Sequence, residues 1–234
     1  TDQKSVAEFD WSEIEIIINA AAYTDVDSAE TAEGRLAAWA VNADGAANLA
    51  AVAAQKDTTL IHISTDYVFD GTRTPHLEDE AFSPLSVYGA SKAAGDIAVS
   101  LAPKYYILRT SWVIGAGKNF VRTMLNLGGK GTDPTVVSDQ VGRLTFTSEL
   151  VRAIDHLLTT QPAYGTYNIS NEGAPVSWSD IARAIYKTAG LQNKVTDTST
   201  VDYYKSKPEA APRPLNSVLS LSKIKSTGFK CRDW

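Results

Sequence analysis

Three short apolar runs constrain this chain most: residues 14–22, 60–64 and 105–110, separated by an alanine-rich stretch and by a loop that leads into a second one. Strands that are apolar along their whole length, without alternation, are buried on both faces, as in parallel sheets covered by helices on either side. Between the first two runs, residues 36–55 set Leu36, Trp39, Val41, Leu49 and Val52 among alanines, the pattern of one long helix packed closely on a sheet. The expected class is therefore α/β with a parallel sheet. Asn42 falls inside that helix, where an asparagine usually satisfies a neighbouring backbone group.

Ligands of open α/β sheets sit beyond the carboxyl ends of the strands, so the run ends are where chemistry is sought. The first run ends in Ala20, Ala21 and Ala22, small enough for close approach of a ligand, followed by Tyr23 and Thr24. The second opens onto Ser64, Thr65, Asp66 and Tyr67, and the third delivers Ser111 and Trp112. After residues 84–86, which read as a helix cap, comes Tyr88-Gly89-Ala90-Ser91-Lys92. Residues four apart on a helix share a face. An ammonium beside a phenol pulls the tyrosine pKa down from about 10, which suits a general acid or base near neutral pH. Thr65 adds a hydroxyl donor. The plainer alternative is a tyrosine covering a helix shoulder and a solvated lysine.

Further along, residues 119–127 and 147–159 read as helices and residues 135–138 and 166–170 as strands, with a turn at Asp139-Gln140-Val141-Gly142. Ser177-x-x-Asp180 reads as a capping box variant opening another helix. The tail from Val195 is rich in Ser, Thr, Lys and Pro and reads as a partly mobile lid; within it, Arg213 offers a guanidinium matched to a diphosphate.

Composition narrows the partners. A net charge of -5 without a long basic stretch argues against nucleic acid and anionic membrane, and no apolar stretch approaches the roughly 20 residues that span a bilayer. A cytoplasmic location is the default expectation. One cysteine excludes an internal disulfide, and His62, His76 and His156 lack ligand spacing, so no metal site is expected.

Residues 64–71, S-T-D-Y-V-F-D-G, and residues 88–92, Y-G-A-S-K, resemble the extended short-chain dehydrogenase/reductase family. Asn19-Ala-Ala-Ala-Tyr-Thr-Asp-Val-Asp-x-Ala-Glu30, Arg109-Thr-Ser-Trp112-Val113, Asp139-Gln-Val-Gly142 and Arg213-Pro-x-Asn-Ser217 carry the likeness over residues 14–234. Together they are similar to the branch that reduces the 4-keto group of dTDP-4-dehydro-6-deoxy-L-mannose. The resemblance implies a Rossmann-like doubly wound parallel sheet with a small C-terminal substrate-binding lobe. Residues 1–138 would carry the catalytic set and residues 139–234 mostly the lobe, with elements interleaved. It implies NADPH or NADH as cofactor and dTDP-L-rhamnose, a building block of cell-surface polysaccharide, as product. Tyr88 would donate the proton, with Lys92 and Thr65 as catalytic partners. Ala22, Tyr23, Thr24, Ile63, Tyr88 and Lys92 would touch the dinucleotide, and Thr65, Asp66, Trp112 and Arg213 the sugar nucleotide. Some relatives form homodimers, some bridge protomers with Mg²⁺, and some carry an upstream epimerase domain; the sequence leaves these open.

Two departures matter. Relatives continue D-Q-x-G with a small residue and Pro-Thr, where this chain has Arg143-Leu144-Thr145, leaving the loop shape and any Arg143 contact open. A Rossmann reductase opens with a strand, a G-x-x-G-x-x-G turn and a helix that holds the pyrophosphate, and residues 1–13 carry none of these. The front of the sheet is therefore expected to lie outside this chain, with weakened NAD(P)H binding and an apolar edge at residues 14–22 prone to pairing. The rival readings are an epimerase or dehydratase on the same scaffold and a non-catalytic sugar-nucleotide-binding or regulatory member.

Overall fold

The computed structural model describes residues 3–234. Helix α1 (Gln3–Glu8) precedes β1 (Ile16–Asn19); α2 (Ala32–Trp39) and α3 (Gly45–Lys56) then lead to β2 (Thr59–Thr65), and α4 (Val87–Val99) to β3 (Tyr105–Thr110). A long excursion follows through β4 (Val113–Ile114), α5 (Phe120–Gly129), β5 (Thr135–Val137), β6 (Val141–Gly142) and β7 (Thr145–Phe146). From there α6 (Thr147–Thr160) returns to β8 (Gly165–Ile169), and β9 (Val176–Ser177), α7 (Trp178–Thr188), β10 (Thr196–Thr198), α8 (Thr200–Ser206) and α9 (Ser222–Ser226) complete the chain.

The main sheet has the order β1-β2-β3-β8 with every neighbouring pair parallel. Both faces are covered over β2, β3 and β8. β1 alternates between buried Ile17 and Asn19 and exposed Ile16 and Ile18, so the strand expected to be buried on both faces there is covered on one face only, with no helix over the other among the described residues. Leu60 and Ile107 point with Ile17 onto Ala46, Ala50, Ala53 and Val99 of α3 and α4. Ile61, Tyr106, Leu108 and Ile169 point the other way, onto Leu150, Ala153 and Leu157 of α6 and Ile224 of α9. This is the two-faced winding expected from unalternating strands. A smaller lobe packs Met124 and Val136 against Ala182 and Tyr186, with β5 and β10 paired in parallel. Its elements come from both halves of the chain, and α6, β8 and α9 return to the main sheet.

Two further expectations are corrected. The stretch 36–55 is not one helix: a π-helical segment, Ala40–Asp44, interrupts it and carries the buried Asn42. The tail is not a loose lid either. Its backbone makes parallel bridges from Leu219 to His76 and from Asn216 to Val141, and Ala211, Leu219 and Ile224 are fully buried. Long-range backbone pairing, invisible in local composition, holds it.

Candidate active site

Because the strands are parallel, β1, β2 and β3 all end on one side, and the residues singled out above gather there. Beyond β1, residues 20–22 and Thr24 are exposed and Tyr23 is half-buried. That segment is held in place by Asn42. Its Oδ1 accepts the Tyr23 N–H at 2.9 Å, and its Nδ2 donates to the Tyr23 carbonyl at 3.1 Å and to the Ser91 hydroxyl at 3.0 Å. The π-helical segment thus joins the shelf after β1 to the helix that carries Tyr88 and Lys92.

At the end of β2 the Thr65 hydroxyl donates to Asp66 Oδ1 at 3.1 Å and accepts the Tyr67 N–H at 3.2 Å. Asp66 is buried and its Oδ2 has no partner. Burial pushes its carboxyl up to about 6, opposed by the hydroxyls of Ser217 and Thr65. Ser86 caps α4 by accepting the Gly89 N–H at 3.1 Å, which fixes Tyr88 in the first turn. Gly89 is required there, since a Cβ would meet the Tyr67 carbonyl oxygen at 2.2 Å. The half-buried Tyr88 ring packs edge-on against Tyr67, with centroids 5.7 Å apart.

The electrostatics correct one step of the sequence reading. Desolvation pushes the Tyr88 phenol up to about 12, eased by the Thr65 hydroxyl and reinforced by the carboxylates of Asp66 and Asp96. No hydrogen bond joins Tyr88 to Lys92 among the described residues. The lysine, 1% exposed, donates to the Ile63 carbonyl at 2.6 Å and lies 3.3 Å from His62 Nε2. Burial draws its own pKa down to about 8, against the opposing charge of Asp96. The helical turn that brings residues 88 and 92 to one face does not aim their heads at each other in this state.

A cavity of about 270 Å³ opens beside this cluster, between the main sheet and the small lobe, lined by Tyr67, Phe120, Val136, Gln140, Trp178 and Arg213 among others. Arg213 donates to Asp27 Oδ1 at 2.8 Å and to the Ala211 carbonyl at 3.1 Å. Trp112 stands one ring behind the wall, stacked on Trp178 with centroids 3.8 Å apart, and adopts a left-handed backbone with φ 47°. Its indole lies against Gly142, where a Cβ would come within 2.8 Å, which explains the glycine of D-Q-x-G. Arg143 is structural, donating to the carbonyls of Gly173 and Leu219 at 2.9 and 3.2 Å. Trp178, Phe120 and Gln140 were not foreseen as lining residues. Nothing local distinguishes them from core aromatics and a turn glutamine. Among the described residues no cluster of His, Cys, Asp or Glu could hold a metal ion, and no helix is long and apolar enough to cross a membrane.

A doubly wound parallel sheet with a hydroxyl, a phenol and a lysine beyond its carboxyl ends is the arrangement of the short-chain dehydrogenase/reductase class. The chain belongs to the family described as RmlD substrate binding domain, whose model matches residues 1–234. It is 39% identical to the dTDP-4-dehydrorhamnose reductase of Aggregatibacter actinomycetemcomitans over 94% of this chain and 77% of the relative. It is 38% identical to the spore coat polysaccharide biosynthesis protein SpsK of Bacillus subtilis, over 100% of this chain and 81% of the relative. The dTDP-4-dehydrorhamnose reductase of Bacillus anthracis, crystallised in complex with NADP, superposes with a TM-score of 0.87 at 39% identity, over 99% of this chain and 79% of that one.

The residues present fit a nicotinamide dinucleotide. Three alanines after β1 leave an exposed shelf that larger side chains would fill, and Tyr23 and Thr24 border it. Half-buried Ile63 adjoins Lys92, whose ammonium form has donors beyond the one given to Ile63.

Proposed function

We propose that this chain reduces the 4-keto group of dTDP-4-dehydro-6-deoxy-L-mannose to dTDP-L-rhamnose with NADPH or NADH. The observation that carries the reading is the convergence of Thr65, Asp66 and Tyr88 beside a cavity that also presents Arg213; the reductases among its relatives support it. When bound, the dinucleotide supplies the hydride that reaches C4. Residues 22–24, Ile63, Tyr88 and Lys92 would hold it.

The protein's own part begins with the nucleotide. Phe120, Val136 and Trp178 offer apolar and aromatic surface for the base, backed by Trp112, and Arg213 offers its guanidinium to the diphosphate. Most of the small lobe, drawn chiefly from residues 139–234 together with α5 and β5, is on this reading the substrate-binding part. Asp66, with a free buried carboxylate oxygen, accepts from a sugar hydroxyl. Thr65 donates to the carbonyl oxygen as charge develops on it. Tyr88 completes the step by giving its proton to the C4 oxygen. A phenol held at about 12 is fully protonated at neutral pH, the state a donor needs, and an alkoxide is basic enough to take that proton. Lys92 replaces the lost proton's charge and steadies the phenolate.

Tyr88→Phe tests the reading. Turnover should fall by about 100- to 10,000-fold, the usual contribution of a general acid, while the Kd for the dTDP-sugar measured by calorimetry stays within a factor of about three. Turnover at the wild-type rate would remove the mechanism. Net consumption of NAD(P)H, one per sugar reduced, separates this reaction from an epimerase or dehydratase, which regenerates its cofactor.

A further inference from the structure

Beneath the groups that meet substrate lies a second buried polar set to which the reaction assigns no task. His62 stands on β2, 1% exposed, with Asn19 on one side and Lys92 on the other. Its Nδ1 is 2.9 Å from Asn19 Nδ2 and its Nε2 is 3.3 Å from Lys92 Nζ. The Asn19 amide is oriented from its far side, because its Oδ1 accepts the backbone N–H of Ala21 at 3.2 Å. With the oxygen so engaged, the amide nitrogen faces the ring. Nδ1 must then accept, and the one proton of a neutral imidazole sits on Nε2. The ring is neutral, since burial and the neighbouring lysine hold its pKa well below the ordinary 6.5.

The geometry points to His62 as a positioning residue for Lys92: fixed by Asn19 as the Nε2–H tautomer, it turns a donor toward the lysine nitrogen, favours the amine over the ammonium, and ties that choice to the backbone following β1. The inference rests on the proposed function, which gives Lys92 its task. The charged groups around the ring are few. From α4 come Lys92 and Asp96, whose Oδ1 lies 3.8 Å from Nε2 without a hydrogen bond of its own. From β3 comes Arg109, bound to Asp96 Oδ2 at 3.0 Å, so that pair largely neutralises itself; from β1 comes only the uncharged Asn19. An ammonium facing His62 calls for an accepting Nε2, hence a proton on Nδ1 and an Asn19 amide turned over. Turning it over gives up the bond to the Ala21 N–H. The charge on Lys92 and the conformation of the shelf at residues 20–22 are therefore linked, and occupancy of the shelf by the dinucleotide would be felt at the lysine.

Nitrogen-15 NMR of histidine-labelled full chain reads the tautomer directly, with the His62 signals assigned by their loss in His62→Asn. The expected pattern is Nε2–H above about pH 8, where Lys92 is an amine, giving way to Nδ1–H below it as the lysine takes up its proton; a single tautomer on both sides of that pH, or a ring titrating near the ordinary histidine value, would overturn the inference. Two variants then read the consequence in the pH dependence of the NADPH Kd, followed by fluorescence, and of kcat/KM. His62→Asn keeps a polar partner for Asn19 and removes the donor to Lys92, so the alkaline limb should move up by about one pH unit. His62→Gln, whose longer amide reaches the lysine, should retain the wild-type limb. No movement in either variant, or equal movement in both, overturns it. If Tyr88→Phe instead turns over normally, the proposed function falls while the tautomer and Kd readings still decide this one.

Discussion

Asp66 shows how one side chain carries both substrate chemistry and a destabilising burden. Its carboxyl is buried with one oxygen unpartnered, and its pKa stands at about 6 against an ordinary 3.8. A carboxyl that holds its proton more tightly in the fold than in the unfolded chain favours folding below about pH 4, and that advantage is lost as the pH rises through about 6. The gap corresponds to about 3 kcal/mol. Asp66→Asn, which cannot ionise, should therefore gain on the wild type by up to that amount between about pH 4 and 7 and then run parallel to it. Denaturant unfolding at a series of pH values checks this, and parallel curves throughout would show that the carboxyl does not titrate as described. A sugar hydroxyl donating to the free oxygen would favour the ionised form, so binding of the dTDP-sugar should lower the Asp66 pKa and release a fraction of a proton near pH 6. Calorimetric titration in two buffers of different ionisation enthalpy measures that release.

At the scale of elements, the π-helical segment between α2 and α3 explains what local pattern could and could not reveal. Alanine-rich composition announces a helix, and Asn42 was legible as a residue that satisfies backbone. Its place in a widened turn was not, because nothing in the alanine pattern marks the extra residue. The reason is tertiary: the Asn42 carbonyl meets α4 at Gly95, where a Cβ would stand 2.2 Å from it, so α4 can approach only with glycine at that point. The pairing of Tyr88 with Lys92 was legible in the same limited sense, since spacing fixes a helix face, whereas the direction of the lysine head is decided by Ile63 and His62 on another element. The parallel sheet was readable from the unalternating runs of β2 and β3; the anchored tail was not, because the partners of Leu219 and Asn216, His76 and Val141, lie 143 and 75 residues earlier. Asn42→Ala removes three hydrogen bonds and strands the Tyr23 N–H and carbonyl. The loss should be about 2–4 kcal/mol in stability, with a rise in the NADPH Kd larger than the fall in kcat, because the damage is to the shelf and not to Tyr88. Thermal unfolding and a fluorescence titration measure the two effects.

For the molecule as a whole, the consequential feature is the edge that β1 forms in the main sheet of the described residues. Among the described residues β1 pairs only with β2, so its outer row of backbone groups has no strand partner there, and its side chains alternate between buried Ile17 and Asn19 and exposed Ile16 and Ile18, at 41% and 51%. Two β-branched residues on an open face beside an unpaired edge make a template for another strand. Exposed Glu13 and Glu15 precede the strand and oppose pairing by charge, but none of residues 16–19 is charged. The net charge of -5 repels copies from one another only at long range and is screened beyond about 10 Å at ordinary salt. Apolar edge contact should therefore dominate once two copies meet. The expected outcome is an apparent mass that rises with protein concentration in static light scattering, more steeply as salt is added. Ile18→Lys, which places a charge on the exposed face without touching the buried alternation, should reduce that rise while leaving thermal unfolding within about 0.5 kcal/mol. A parent chain whose mass stays at that of one copy over the whole concentration range would mean that the edge is held apart by something other than charge.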